Sequence, residues 1–286
     1  MNSNNETHQQ IKRLLDIDMH YQPGRNNHET GIERREMTLK ICARFNIVGP
    51  VIIRWLYGIP HRLALQHLNK LVDEELLMLV KTHRSVDGRV YVLQHSGAKY
   101  AEELLGLSVP FRKASEPSRQ INQNNVAHDL MNAFICLRGI HEYNNDGNHT
   151  PLWDGIVTEV EFKRIYKASA IRNVDGLVRE CGNEAKIIAL EIEHSFKTKE
   201  ARKVIICKYL NSIKQGHYQK VFMFSQSQRI FKDIKRLHDQ LLDEMTTHYD
   251  KKTRLPLMTK NDADLLKHAL VYRTKFCDEL QSLFYP

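Results

Sequence analysis

Most of the short motifs that assign an activity on sight are missing from these 286 residues. No GxxxxGKS, GxxxxGKT or GxGxxG occurs, so a phosphate-cradling loop for nucleotide chemistry is not supported. There is no HExxH and no close histidine spacing, which leaves zinc without support. The five cysteines, Cys42, Cys136, Cys181, Cys207 and Cys277, are scattered and form no CxxC. They fit a reducing compartment and exclude a cysteine-based zinc site. The longest apolar run, IVGPVIIRWLY, is interrupted by Arg54 and is too short for a membrane span. No charged-then-apolar leader with a small-residue cleavage site is seen, so a cytoplasmic protein without membrane insertion is expected. Repeats, long low-complexity tracts and coiled-coil heptads are also lacking.

What remains is an ordinary globular composition, 42% hydrophobic and 27% charged, at a length suited to about two domains. A formal charge of +8, with 15 histidines besides, favours a polyanionic partner such as nucleic acid. Residues 1–33 are polar and read as an arm, loose or briefly helical. The stretch GLSVPFRKASEPSRQINQNN has two prolines, three serines and little apolar content, which sets a linker at 107–125. The expected division is therefore arm 1–33, first domain 34–106, linker 107–125 and second domain 126–286.

In the first domain, helices are expected at 37–45, 48–57 and 62–77. In the third, Ala64, Leu65, Leu68, Leu71, Val72 and Leu76 follow the helical period. Two β-type segments, LLMLVKT and RVYVL, are joined by HRSVDG, whose DG pair suits a hairpin loop. SGAKYAEELLG then reads as a helix with a serine start and a glycine end. This order resembles a winged helix-turn-helix domain of the MarR-like and replication-regulator kind. The resemblance implies that the third helix enters the major groove of double-stranded DNA while the hairpin touches its backbone or minor groove. The matching DNA-binding candidates are Arg62, Gln66, Asn69 and Lys70 on the helix, with His83, Arg84 and Arg89 on the wing.

In the second domain a helix is expected over 124–143, with Val126, Leu130, Ala133, Phe134 and Leu137 on its buried face. β-Formers follow at IVTEVEF, AIRNVDGLV, KIIALEIE and KVFMFS, with LPLM as a short late strand. Further helices are expected at 198–213, 228–246 and 261–283. The fold class is thus α/β (α+β), with a mixed central sheet flanked by helices. In KIIALEIE, Ile188, Leu190 and Ile192 alternate with Glu191 and Glu193, which share a face roughly 7 Å apart. A turn near Asn183 sets Asp175 opposite Glu191. Three carboxylates that close repel one another, and a hard cation such as Mg²⁺ or Mn²⁺ relieves that repulsion.

The Asp175, Glu191, Glu193 pattern resembles the core of a PD-(D/E)XK nuclease, with Glu193 standing where the usual lysine would be. Lys197 is the migrated cation under that resemblance, and Asp175, Glu191 and Glu193 are the metal ligands. Winged helix plus VDG…ALEIE further resembles the MobC-type plasmid relaxases and the wider replication-relaxation group, over about residues 34–225. That resemblance implies binding of a plasmid transfer origin, metal-dependent nicking of one strand, and a coupling or accessory mobilisation protein as partner. The Arg-Tyr pair common in that group is absent, since Lys203 follows Arg202. Tyr209 is the displaced candidate nucleophile, Tyr218 a weaker one, and a metal-activated water the alternative. His128 is an additional acid or base candidate, and Glu159 or Glu161 could join the site. The competing expectation is a non-catalytic DNA-binding regulator of plasmid replication or transfer. A defence or repair nuclease is a third.

Overall fold

The computed structural model describes residues 2–111, 119, 121–166, 171–182, 184–193, 197–249, 254 and 256–285, with side chains from residue 6 onward. It begins with α1 (Asn2–Leu15), so the arm is a docked helix whose Ile11 and Leu15 are buried. Its end lies against β3 (Trp153–Thr158), where Gly155 permits the contact. A Cβ at that position would stand 2.3 Å from the Leu15 carbonyl oxygen.

Next come α2 (Asn27–Phe45), α3 (Pro50–Tyr57), α4 (His61–Asp73), β1 (Leu77–Lys81), β2 (Arg89–Leu93) and α5 (His95–Leu105). α2 starts ten residues before the expected 37, because Asn26 caps it by accepting from the Glu29 amide at 2.9 Å. α4 stops short of the expected 77. Glu75 turns at φ +58°, and Leu77 pairs with Leu93 as the first rung of the β1–β2 hairpin. Ala64, Leu68 and Leu71 are buried, as the helical period requires.

After a short 3-10 turn at Gln123–Asn125 the chain forms α6 (Val126–Ile140), β3, α7 (Glu159–Ile165), β4 (Gly176–Glu180), β5 (Ile187–Ile192), α8 (Lys199–Lys214), β6 (Lys220–Phe224), α9 (Gln228–Thr247), α10 (Lys260–Ala269), β7 (Leu270–Tyr272) and α11 (Cys277–Phe284). The sheet order is β3-β4-β5-β6-β7. β4 runs antiparallel to both β3 and β5, while β6 and β7 run parallel to β5. This is a mixed α/β fold with a mixed central sheet.

Three expected elements differ. IVTEVEF is strand only to Thr158, and Glu159 opens α7. The Thr158 hydroxyl accepts from the Glu161 amide while Glu161 accepts from the Thr158 amide, a capping box that ends the strand. The single helix expected at 261–283 is broken by β7, whose Leu270, Val271 and Tyr272 pair with β6. LPLM is not a strand of the sheet. Pro256 makes one isolated bridge to Tyr249, and Leu255 lies outside the described residues.

Both faces of the sheet are covered. One apolar cluster joins α2–α4 and the hairpin to α6, α11 and the Ile188, Leu190, Ile192 face. The other fills the space between the opposite face and α1, α7, α8, α9 and α10. Apolar packing therefore runs from the first half into the second. Of the linker expected at 107–125, residues 112–118 and 120 lie outside the described residues. Among the described residues no helix is long and apolar enough to cross a membrane.

Candidate functional site

The site is built at the ends of β4 and β5. Gly176 pairs with Leu190, and the Asp175 amide donates to the Leu190 carbonyl at 3.0 Å, so the same register sets Asp175 across from Glu191. Glu191 and Glu193 follow Ala189 on the face that α8 covers. That face is not solvent: their exposures are 1% and 0%, and Asp175 is 7% exposed. Buried carboxylates need partners, and each of the three has its own cation.

Glu191 receives a fork from Arg172, Nε to Oε1 at 2.8 Å and Nη2 to Oε2 at 2.9 Å. Glu193 receives another from Arg202, at 2.5 and 2.8 Å, and Lys197 Nζ adds a contact at 2.7 Å. Asp175 Oδ2 accepts from the Ile192 amide at 2.6 Å and lies 3.2 Å from His128 Nε2. Burial pushes the Asp175 carboxyl up, but His128 and the Ile192 amide outweigh it and hold it below its usual range. Glu193 follows the same pattern, with Arg202 and Lys197 overcoming burial. Glu191 goes the other way: burial and the Asp175 charge push it up against the pull of Arg172. Burial lowers His128, yet Asp129 and Asp175 raise it to about 10, so its ring is held protonated.

This arrangement does not fit the ion expected from the sequence. Both oxygens of Glu191 and both of Glu193 already accept charged hydrogen bonds, which leaves Mg²⁺ or Mn²⁺ to compete with two guanidinium forks. Among the described residues, the one group of three metal-type ligands with donor atoms within 4.8 Å of one another is His128, Asp129 and Glu159. Asp129 and Glu159 line a cleft of about 460 Å³ between the halves, together with Asn46, Phe111, Asn125 and Arg164. Glu159 is also paired with Lys163. Glu161, the other acid considered there, is instead buried against Arg44 of α2, Oε1 to Nε at 2.8 Å.

Tyr209 does not stand where a nucleophile must. Its ring is fully buried on the inner side of α8, Arg172 lies 6.0 Å from its centroid, and burial first, then Glu191, push the phenol well above its usual value. A buried, protonated phenol has neither access to a phosphodiester nor the charge to attack one. Tyr218 is likewise fully buried and raised by burial.

On the first half, Arg62, Gln66, Asn69 and Lys70 are exposed along α4, as are His83 and Arg84 in the β1–β2 loop, with Arg89 half-buried at its foot. Asn69 has a second attachment, accepting from the Tyr91 hydroxyl at 2.9 Å. Sequence reasoning missed Arg172 and Asp129, and saw in Arg202 only half of an expected Arg-Tyr pair. The available signal was position: Arg172 stands three residues before Asp175, and Asp129 adjoins His128. Comparisons with family models, curated proteins and solved structures returned no match to the chain.

Proposed function

We propose that the chain is a duplex-DNA-binding regulator. It grips DNA with α4 and the β1–β2 hairpin in the manner of a winged helix, and it carries a nuclease-like second half whose acids are charge-compensated. Three helices, a hairpin and a further helix support the first part. Arg62, Gln66 and Lys70 on one helix and His83 and Arg84 on the loop present one exposed polar and basic set. The order α6, β3, β4, β5, α8, β6, with α7 inserted between β3 and β4 and with β6 parallel to β5, agrees with a PD-(D/E)XK core. The single observation that carries the non-cutting reading is the pair of guanidinium forks on Glu191 and Glu193. The DNA under this reading is a plasmid origin of replication or transfer, met in the cytoplasm.

The test uses supercoiled plasmid carrying a plasmid origin of replication or transfer, with Mg²⁺ or Mn²⁺ present. A retarded band with no open circles agrees with the regulator. Site-specific open circles overturn it in favour of nicking, the relaxase reading. That second reading has its own support in the His128, Asp129, Glu159 group beside the cleft. Those residues would hold the ion, Mn²⁺ more readily than Mg²⁺ given an imidazole ligand, and the ion would polarise a phosphodiester. His128 must first lose the proton that Asp129 and Asp175 hold on it. Nicking that disappears in Asp129→Ala and survives Glu191→Gln would assign the chemistry to that group. In that case a coupling or accessory mobilisation protein is the expected partner.

A further inference from the structure

The β1–β2 loop does not project freely. Its Asp87 turns inward, with the side chain only 7% exposed. Asp87 Oδ2 accepts from the Val51 amide at 2.8 Å, in the first turn of α3. That turn has no cap of its own, because Gly49 precedes it without a side chain and Pro50 has no amide hydrogen. Asp87 therefore supplies from the hairpin the acceptor that an N-cap residue normally supplies from the helix. Its other oxygen lies 3.4 Å from His61 Nδ1, the first residue of α4. One carboxylate thus touches the starts of both helices.

The base of the hairpin is attached as well. Val48 and Tyr91 exchange backbone hydrogen bonds at 3.0 and 2.8 Å, and the Tyr91 hydroxyl reaches Asn69 of α4. The loop is closed on itself by the Thr82 amide to the Gly88 carbonyl, 3.0 Å, and the Gly88 amide to Ser85, 2.9 Å. Its tip, by contrast, is joined to the helices through Asp87.

We infer that Asp87 is the positioning residue of the DNA-gripping surface: by bridging the Val51 amide and His61 it holds the loop bearing His83 and Arg84 at a fixed offset from Arg62 and Gln66 on α4. The inference rests on the DNA-binding reading above. Without this tie the loop keeps its charges but loses their register with the helix, so its phosphate contacts become separate from those of α4.

The test measures binding of a mixed-sequence 20-base-pair duplex by fluorescence anisotropy across salt concentrations. Each phosphate contact contributes about 0.9 to the slope of log K against log salt. Asp87→Ala is expected to lower the slope by about 1, the share of Arg84. Adding Arg84→Ala to it should lower the slope no further, whereas in the wild-type background that substitution should lower it by about 1. Asp87→Asn, whose amide oxygen still accepts from Val51, should keep most of the slope. Amide exchange should quicken at Val51, Thr82 and Gly88 in Asp87→Ala. If Asp87→Ala does not fold, Asp87→Asn combined with His61→Ala keeps the cap, removes the tie to α4 and carries the same salt-slope readings. A full wild-type slope in a folded Asp87→Ala, or full additivity with the arginine substitution, overturns the inference while leaving DNA binding intact. Absence of salt-dependent binding by the wild type overturns the DNA reading and this inference with it.

Discussion

Arg62, Gln66 and Arg84 stand in solvent on α4 and its neighbouring loop, whereas Glu191, Glu193 and Arg202 are each 2% exposed or less between α8 and the sheet. The two halves use charge under opposite dielectric conditions. In water a lone cation costs little and its field reaches a polyanion, limited by a Debye length of about 8 Å at physiological salt. In the interior the same charge must be neutralised within hydrogen-bond distance, as it is at Asp175, Glu191 and Glu193. A surface set can therefore be changed for affinity without touching the fold. A buried set cannot be changed one member at a time.

The largest expected effect follows from that asymmetry. Arg202→Ala removes the fork from Glu193 and leaves Lys197 as its remaining cation, so unfolding free energy should fall by about 3–5 kcal/mol. Replacing a whole pair, Arg172→Met with Glu191→Leu, should be far milder, from near neutral to a gain of about 1–4 kcal/mol. Urea titration of the wild type and these two variants measures both. Equal losses for the single and paired changes would mean that these ions are not a compensated set, and the comparison between the halves would fail.

An intermediate effect concerns acid. His238 in the sheet half and His67 in the helical half are both lowered to about 4, by burial first, then by Arg202 for His238 and by Arg34 for His67. Each must stay neutral when folded, while the unfolded chain takes up a proton near 6.5. Their contribution to stability is therefore complete above pH 6.5 and is lost as pH falls from 6.5 to 4, on the order of 2–3 kcal/mol for each. Glu191 has the opposite sign, since its carboxyl is raised by burial and Asp175. The measurement must be a difference between variant and wild type, in which Glu191 cancels. The stability of His238→Gln and of His67→Gln should each depend less on pH between 6.5 and 4 than that of the wild type. A flattening confined to one of them would show that the halves do not unfold as one unit.

How much of this was legible in the sequence divides along similar lines. Ala64, Leu68 and Leu71 were readable because a helix face is decided by residues three and four apart. The Asp175–Glu191 register was readable because alternation in β5 and a turn near residue 183 leave little freedom. The fate of the carboxylates was not. Arg172 and Arg202 lie 19 and 9 residues from the acids they pair with, and nothing local says which helix will cover that face. α7 was missed for a different reason. VTEVEF alternates like a strand, and the Thr158–Glu161 capping box in the same letters decided against it. β7 lay inside a helical pattern, where pairing with β6 outweighed the local preference.

The smallest expected effect on stability sharpens the other side of the comparison. Arg62→Ala and Arg84→Ala remove exposed cations that pair with no acid among the described residues, so each should change unfolding free energy by less than about 0.5 kcal/mol. On DNA the same changes should each weaken binding roughly tenfold, about 1.4 kcal/mol, and lower the salt slope by about 1. A base contact and a phosphate contact separate further. If Arg62 reads a base edge, its loss relaxes sequence preference at one position; if it meets a phosphate, affinity falls equally on every sequence. Competition between a selected site and random duplex distinguishes the two. Should neither arginine alter affinity while Arg202→Ala still unfolds the protein, the exposed set would be solvated surface alone, and the polyanion would have to be sought on another face.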